Sequence, residues 1–157
     1  MPDTIQSKLT PGDHKIAIAC GRFNEYIVDR LLIAAIDTWH MLGGEDENLT
    51  VVHVPGAFEL PVTALHLAET GKYEAVICLG CVIKGETDHY DAVVEQTAKG
   101  VKDVNVKTGV PCVFGVLTCD NLEQAIHRAG GKVGNQGRSA MLTGVEMANL
   151  IEAIGEN

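Results

Sequence analysis

The sequence predicts a doubly wound parallel sheet with helices packed on both faces. Two observations carry this. The first is the stretch AVICLGCVI, Ala75 to Ile83, which is apolar at nearly every position and does not alternate. A strand needs that pattern only when both of its faces are covered, as in the middle of a sheet between two helical layers. The second is the order of the chain, in which a short apolar strand pattern followed by a helix pattern occurs four times. Such alternation builds parallel strands joined by right-handed crossovers.

Met1 to Asp13 is polar and closes on the turn signal Thr10-Pro11-Gly12-Asp13, so residues 1–14 read as an arm before a single domain over 15–157. Lys15 to Cys20 is the first strand and Gly21 to Asn24 the loop at its end, with Asn24 expected to cap the helix that follows. In that helix Val28, Leu31, Leu32, Ala35, Ile36, Trp39 and Leu42 share one face, and Gly43-Gly44 ends it. Ile33, Ala34 and Met41 widen the stripe beyond what one sheet face covers, which points to a subunit partner or to a tightly packed monomer.

Leu49 to Val54 is the second strand, and Pro61 and Gly71 suit the first turn and the exit of the second helix. Ala75 to Ile83 is the third strand. The helix after it starts near Thr87 and places Tyr90, Val93, Val94, Ala98, Val101 and Val104 on one side. Cys112 to Leu117 is the fourth strand, with Thr118 to Asn121 as its loop and a short helix to about Ala129. The glycine-rich connector Gly130 to Gly137 leads into a last helix with Ala140, Gly144, Met147, Ala148, Ile151 and Ile154 on one face.

Composition narrows the function classes. A formal net charge of -9 and a pI near 5.0 argue against non-specific nucleic-acid binding, which needs many Lys and Arg set against phosphates. The first fifteen residues hold no apolar core of signal-peptide length, and no run approaches the roughly 20 residues that span a bilayer. The expectation is therefore a cytoplasmic protein without membrane contact. Of the five cysteines, Cys20, Cys78, Cys81 and Cys112 lie in apolar segments, where cysteine packs as a small hydrophobe. Cys78 and Cys81 are three apart on a strand and face opposite ways, so they cannot grip one metal ion.

Ligands of such sheets bind beyond the carboxyl ends of the strands. The loops at Gly21, Pro55, Lys84 and Thr118 all lie there, so Phe23, Phe58, Glu59, Lys84, Thr87 and His89 should be close neighbours. His89 can give and take a proton near neutrality, although the same residue also fits a surface histidine in a polar first turn. Gly85, Glu86 and Thr87 precede a helix amino terminus, where free N–H groups favour a phosphate, or else form an ordinary polar turn. Phe23 and Phe58 can stack on a planar ring or plug the top of the core. On local sequence alone the core is the stronger reading. Arg128 and Lys132 flank the glycine connector and suit either an anion or solvent.

The segments GRFN (Gly21 to Asn24), VPGAFELP (Val54 to Pro61), VIKGETDHYD (Val82 to Asp91), PCVFGVLT (Pro111 to Thr118) and IHRAGGKVGNQG (Ile126 to Gly137) stand in one order and spacing. Together they resemble the motifs of the 6,7-dimethyl-8-ribityllumazine synthases, over about Lys15 to Ile154. That resemblance implies a flavodoxin-like three-layer sandwich with a four-stranded parallel sheet. It also implies condensation of 5-amino-6-(D-ribitylamino)uracil with 3,4-dihydroxy-2-butanone 4-phosphate, the penultimate step of riboflavin biosynthesis, without metal or organic cofactor. Carried over by position, Phe23 stacks on the pyrimidine, Ala57, Phe58 and Glu59 hold its ribityl chain and ring edge, and the backbone of Cys81, Val82 and Ile83 reads its polar edge. Phe114 closes the pocket of an adjacent subunit, Gly85, Glu86, Thr87 and Arg128 bind the phosphate, and His89 transfers protons.

The resemblance further implies pentamers, a sixty-subunit shell, and riboflavin synthase as a candidate partner. Lys84, His127, Val133 and Gln136 depart from the commonest family pattern, which has arginine, glutamate, alanine and lysine there. Gln136 in particular removes a positive charge near the expected phosphate site. A flavin- or lumazine-binding or shell-forming protein of the same fold, without catalysis, is the alternative reading.

Overall fold

The computed structural model describes residues 1–85 and 89–156. The chain runs β1 (Ile16–Gly21), α1 (Glu25–Met41), β2 (Leu49–Val54), α2 (Leu60–Glu69), β3 (Ala75–Ile83), α3 (Tyr90–Thr108), β4 (Cys112–Cys119), α4 (Leu122–Arg128) and α5 (Gln136–Gly155). The four strands pair in parallel in the order β2-β1-β3-β4, the flavodoxin-like arrangement. All nine residues of β3 are buried, as a central strand between two layers requires.

The side chains of β3 alternate between two cores. Ala75, Ile77, Leu79, Cys81 and Ile83 face α1, α4 and α5, where Leu31, Trp39 and Met141 pack against them. Val76, Cys78 and Val82 face α2 and α3 with Leu60, Val101 and Val104. Cys78 and Cys81 thus point to opposite faces. Burial, with Asp29 nearby, pushes the Cys20 thiol up to about 12. A hydrogen bond with Cys112 (Sγ–Sγ 3.8 Å), reinforced by burial, holds the Cys78 thiol protonated. These cysteines act as packing groups.

Several boundaries differ from the sequence expectation. The first strand begins at Ile16 rather than Lys15. The fourth continues through Thr118 and Cys119, because β3 is long enough to keep pairing with it to Ile83↔Cys119, and the Lys84 N–H then donates to the Cys119 carbonyl (2.8 Å). Cys119 is consequently a buried strand residue and not part of a loop. On α3, Ala98 is exposed and Thr97 is buried in its place.

The inner face of α5 also turns differently. Ile151 and Ile154 are exposed, while Met141, Val145, Ala148 and Asn149 face inward. The cause is polar. Asn149 Nδ2 donates to the carbonyls of Lys8 and Thr10, and His14 Nε2 lies 3.1 Å from Asn149 Oδ1 and 2.8 Å from Glu152. The arm thus packs on the Asn149 side of α5, roughly half a helical turn round from the exposed Ile151 and Ile154, and adds Asn149 to the buried face. No helix among the described residues is long and apolar enough to cross a membrane.

Candidate active site

The site begins with an unequal pairing. β1 pairs with β3 only as far as Cys20↔Leu79, whereas β4 follows β3 to Ile83↔Cys119. Gly80 to Ile83 therefore has a strand neighbour on one side only. Because the chain leaves β1 towards β2 on one hand and crosses to β3 and β4 on the other, this gap is the topological switch point where parallel sheets form ligand crevices. Lys84 directs its N–H towards β4, so by strand alternation the backbone groups of Cys81 and Ile83 point into the gap.

The loop after β1 spans that gap. Arg22 and Phe23 donate their backbone N–H groups to the carbonyls of Val54 and Pro55 (2.8 and 3.1 Å). Asn24 donates from Nδ2 to the Cys81 carbonyl (2.9 Å). Its backbone is left-handed (φ 60°) and its side chain makes no capping bond to α1, so the expected N-cap role is corrected. A capping residue has extended backbone with its oxygen turned to the helix; here the amide is committed to β3 instead.

A cleft of about 280 Å³ results, lined by Phe23, Ala57, Phe58, Glu59, Cys81 and Val82, with Gly56 at its wall and Val93 of α3 behind. Phe23 and Phe58 are 53% and 58% exposed, which overturns the expectation that they plug the core. Phe58 lies on a single 3-10 turn, Ala57–Glu59, in which Ala57 and the following Leu60 take the inward positions. The ring of Phe58 is left on the rim. The Glu59 carboxylate turns back towards Gly56, where a Cβ would lie 3.5 Å from Oε1 and 3.7 Å from Phe23 Cβ.

Residues 13–152 match the 6,7-dimethyl-8-ribityllumazine synthase family. The chain belongs to that family. It is similar to the chloroplastic 6,7-dimethyl-8-ribityllumazine synthase of Spinacia oleracea, at 54% identity over 138 residues. The similar stretch is 88% of this chain and 62% of the spinach protein, so the chain spans under two thirds of that relative's length. The family match takes in every described residue of the cleft.

A second, basic corner of this lumazine synthase-family chain lies at the ends of β3 and β4. Lys84 and Gly85, exposed at the end of β3, are tied to Cys119 by the Lys84 N–H. Arg128, the exposed last residue of α4, is close enough to act on the same cysteine: burial raises the Cys119 thiol, and the Arg128 charge partly offsets it. Gly85 has φ +88°, a left-handed turn that suits glycine. Burial also raises the Tyr90 hydroxyl, partly opposed by a hydrogen bond with Thr118 of β4.

His89 is exposed at the N-cap of α3, and its carbonyl accepts the Val93 N–H (2.9 Å). Residues i and i+4 share a helix face, so His89 stands one turn above Val93 at the cleft wall. Glu86 and Thr87 lie outside the described residues. The side chain of Ile83 belongs to the opposite core, leaving only its backbone for the gap. Phe114 does not reach this cleft. It is half-buried opposite Cys78, while Thr118 stands opposite Val82, four residues or about 13 Å further along β4. Asn24, Gly56 and Val93 escaped the sequence reading as site residues; the asparagine just after Phe23 was the available signal, but it also fitted a cap.

Proposed function

We propose that this chain condenses 5-amino-6-(D-ribitylamino)uracil with 3,4-dihydroxy-2-butanone 4-phosphate to 6,7-dimethyl-8-ribityllumazine, with release of phosphate and water. The observation that supports it best is the one-sided end of β3 between two exposed phenylalanines, beside a corner carrying Lys84, Gly85 and Arg128. A planar heterocycle bearing polar edge groups needs a stacking surface and a backbone edge at once. The cleft offers both.

In this reading Phe23 covers the pyrimidine face, Cys81 and Ile83 meet its edge through their backbone while Val82, paired on its backbone side with β4, lines the cleft with its side chain, and Ala57, Phe58 and Glu59 take the ribityl chain. The ketone phosphate lies towards Gly85, Glu86, Thr87 and Arg128. The amine attacks the ketone carbonyl, one water leaves as the imine forms, phosphate is eliminated, and the ribityl-bearing amine closes the ring on the remaining carbonyl with loss of a second water to give the lumazine. Each stage moves protons, and His89, one helical turn above Val93, is the group suited to relay them. Phosphate departs with its charge held by Arg128 and the amino end of α3.

The test is an absorbance assay of the purified protein with both substrates. Growth of the lumazine chromophore supports the reading; pyrimidine binding without colour leaves a binding module. Arg128→Ala is expected to raise the KM for the ketone phosphate by about tenfold to a hundredfold, the worth of a charge-assisted hydrogen bond, with the pyrimidine KM little changed. An unchanged ketone KM removes Arg128 from the phosphate site.

Assembly follows the same reading: pentamers, joined into a sixty-subunit shell, with Phe114 completing a neighbour's cleft. Ile33 and Met41 on the outer face of α1 and Val133 on the connector are exposed in a single chain and suit burial between copies. Light scattering is expected to give a mass far above one pentamer, and a pentamer across ordinary buffers would reject the shell. Riboflavin synthase as a partner rests on the family resemblance. A cytoplasmic place of work is part of the same reading, whereas the spinach relative has a chloroplast name.

A further inference from the structure

Asn24 is the one residue other than glycine with a positive φ among the described residues. Asparagine tolerates the left-handed region better than most side chains but still adopts it at a cost. What accompanies the conformation here is a bridge. The left-handed turn aims the amide across the switch point, where Nδ2 donates to the Cys81 carbonyl of β3 (2.9 Å). On the other side, Phe23 is tied to Pro55 beyond β2 (3.1 Å). The Asn24 amide thus links the ring of Phe23 to the strand end whose backbone faces the cleft.

We propose that Asn24 is a positioning residue for the heterocyclic substrate, setting the separation between the Phe23 ring and the backbone edge of β3. The inference rests on the functional reading above and adds to it a residue that need not touch either substrate. A planar ring is held well only when its face and its edge are met together, and the Asn24 bridge fixes those two surfaces relative to each other. The phosphate corner hangs on Lys84, Cys119 and Arg128 and does not depend on it.

Two substitutions separate the amide from the backbone conformation. Asn24→Gly keeps a residue at ease with positive φ and removes the bridge. Asn24→Asp keeps the shape but sets an acceptor against the Cys81 carbonyl. Steady-state kinetics with each substrate varied in turn, wild type alongside, are expected to show the pyrimidine KM raised about fivefold to twentyfold in both variants, the range of one lost hydrogen bond. The KM for the ketone phosphate, kcat and the melting temperature should stay near wild type. A pyrimidine KM within twofold of wild type overturns the proposal while the functional reading stands. So does a fall in kcat and melting temperature with both KM values unchanged, because that is the mark of a merely structural role. A wild-type protein that forms no lumazine overturns the functional reading and this inference with it.

Discussion

His89→Ala is expected to lower kcat about a hundredfold or more, the usual worth of a positioned proton-transfer group, while leaving the pyrimidine KM and the melting temperature close to wild type. The separation of rate from stability follows from where the residue stands. His89 is exposed, contributes no side chain to either core, and makes no side-chain capping bond to α3. The loss should therefore appear in the chemical step. Residual turnover should remain above the uncatalysed reaction, because the cleft still holds the reactants together and the basic corner still receives phosphate. His89→Gln retains hydrogen-bonding capacity without a titratable proton and should be about as slow. Single-turnover absorbance kinetics on the three proteins check this, and a His89→Ala variant of wild-type rate would take His89 out of the mechanism.

Gly137→Ala is expected to cost about 3 kcal/mol or more of stability, at or above the upper end of ordinary overpacking, and to lower the melting temperature by roughly 6–12 °C. A Cβ on Gly137 would stand 1.9 Å from the Leu31 carbonyl oxygen and 2.8 Å from Leu31 Cα. Those are backbone atoms of α1, so no rotamer change can relieve the contact, and α1 and α5 must separate. Asn135 cannot follow easily, since its Oδ1 accepts the Gly137 N–H (2.8 Å) at the start of α5 while its Nδ2 reaches the Arg30 carbonyl (3.4 Å). Gly144→Ala is the control. Its Cβ would meet the end of the Ile77 side chain, Cδ1 at 3.0 Å, which can shift. Thermal melts by circular dichroism should separate the two variants clearly; a Gly137→Ala protein melting within a degree of wild type would show that the α1–α5 contact yields.

The strands and helices were largely legible because their signals are local. The unbroken apolar run of β3 and the i, i+3, i+4 spacing of α1 are consequences of burial that can be read without knowing what does the burying. The errors came where two local readings competed. Asn24 fitted a helix cap by type and position, yet its amide is claimed by a strand end 57 residues away. Phe23 and Phe58 looked like core aromatics in a chain with few aromatic residues, but hydrogen bonds from the loop to the end of β2, and the 3-10 turn at Ala57–Glu59, hold their rings at the rim. Ile151 and Ile154 fitted an apolar helix face, but the buried face of α5 is turned towards Met141, Val145, Ala148 and Asn149, the last held by the carbonyls of the arm.

By itself the sequence determined the parallel α/β class, the division of β3 between two cores, and, through five motifs in register, the family and the loops from which a site is built. Those properties follow from periodicity, turn chemistry and residue type, each confined to a few neighbouring positions. Only the tertiary structure decided that β3 outruns β1 by four residues, that Asn24 bridges the gap so made, and that Arg128 stands beside the exit of β3. The reason is register. How far two strands pair is fixed by the packing of whole layers against each other, and a crevice at the switch point is the difference between two such pairings, which no single segment of chain contains.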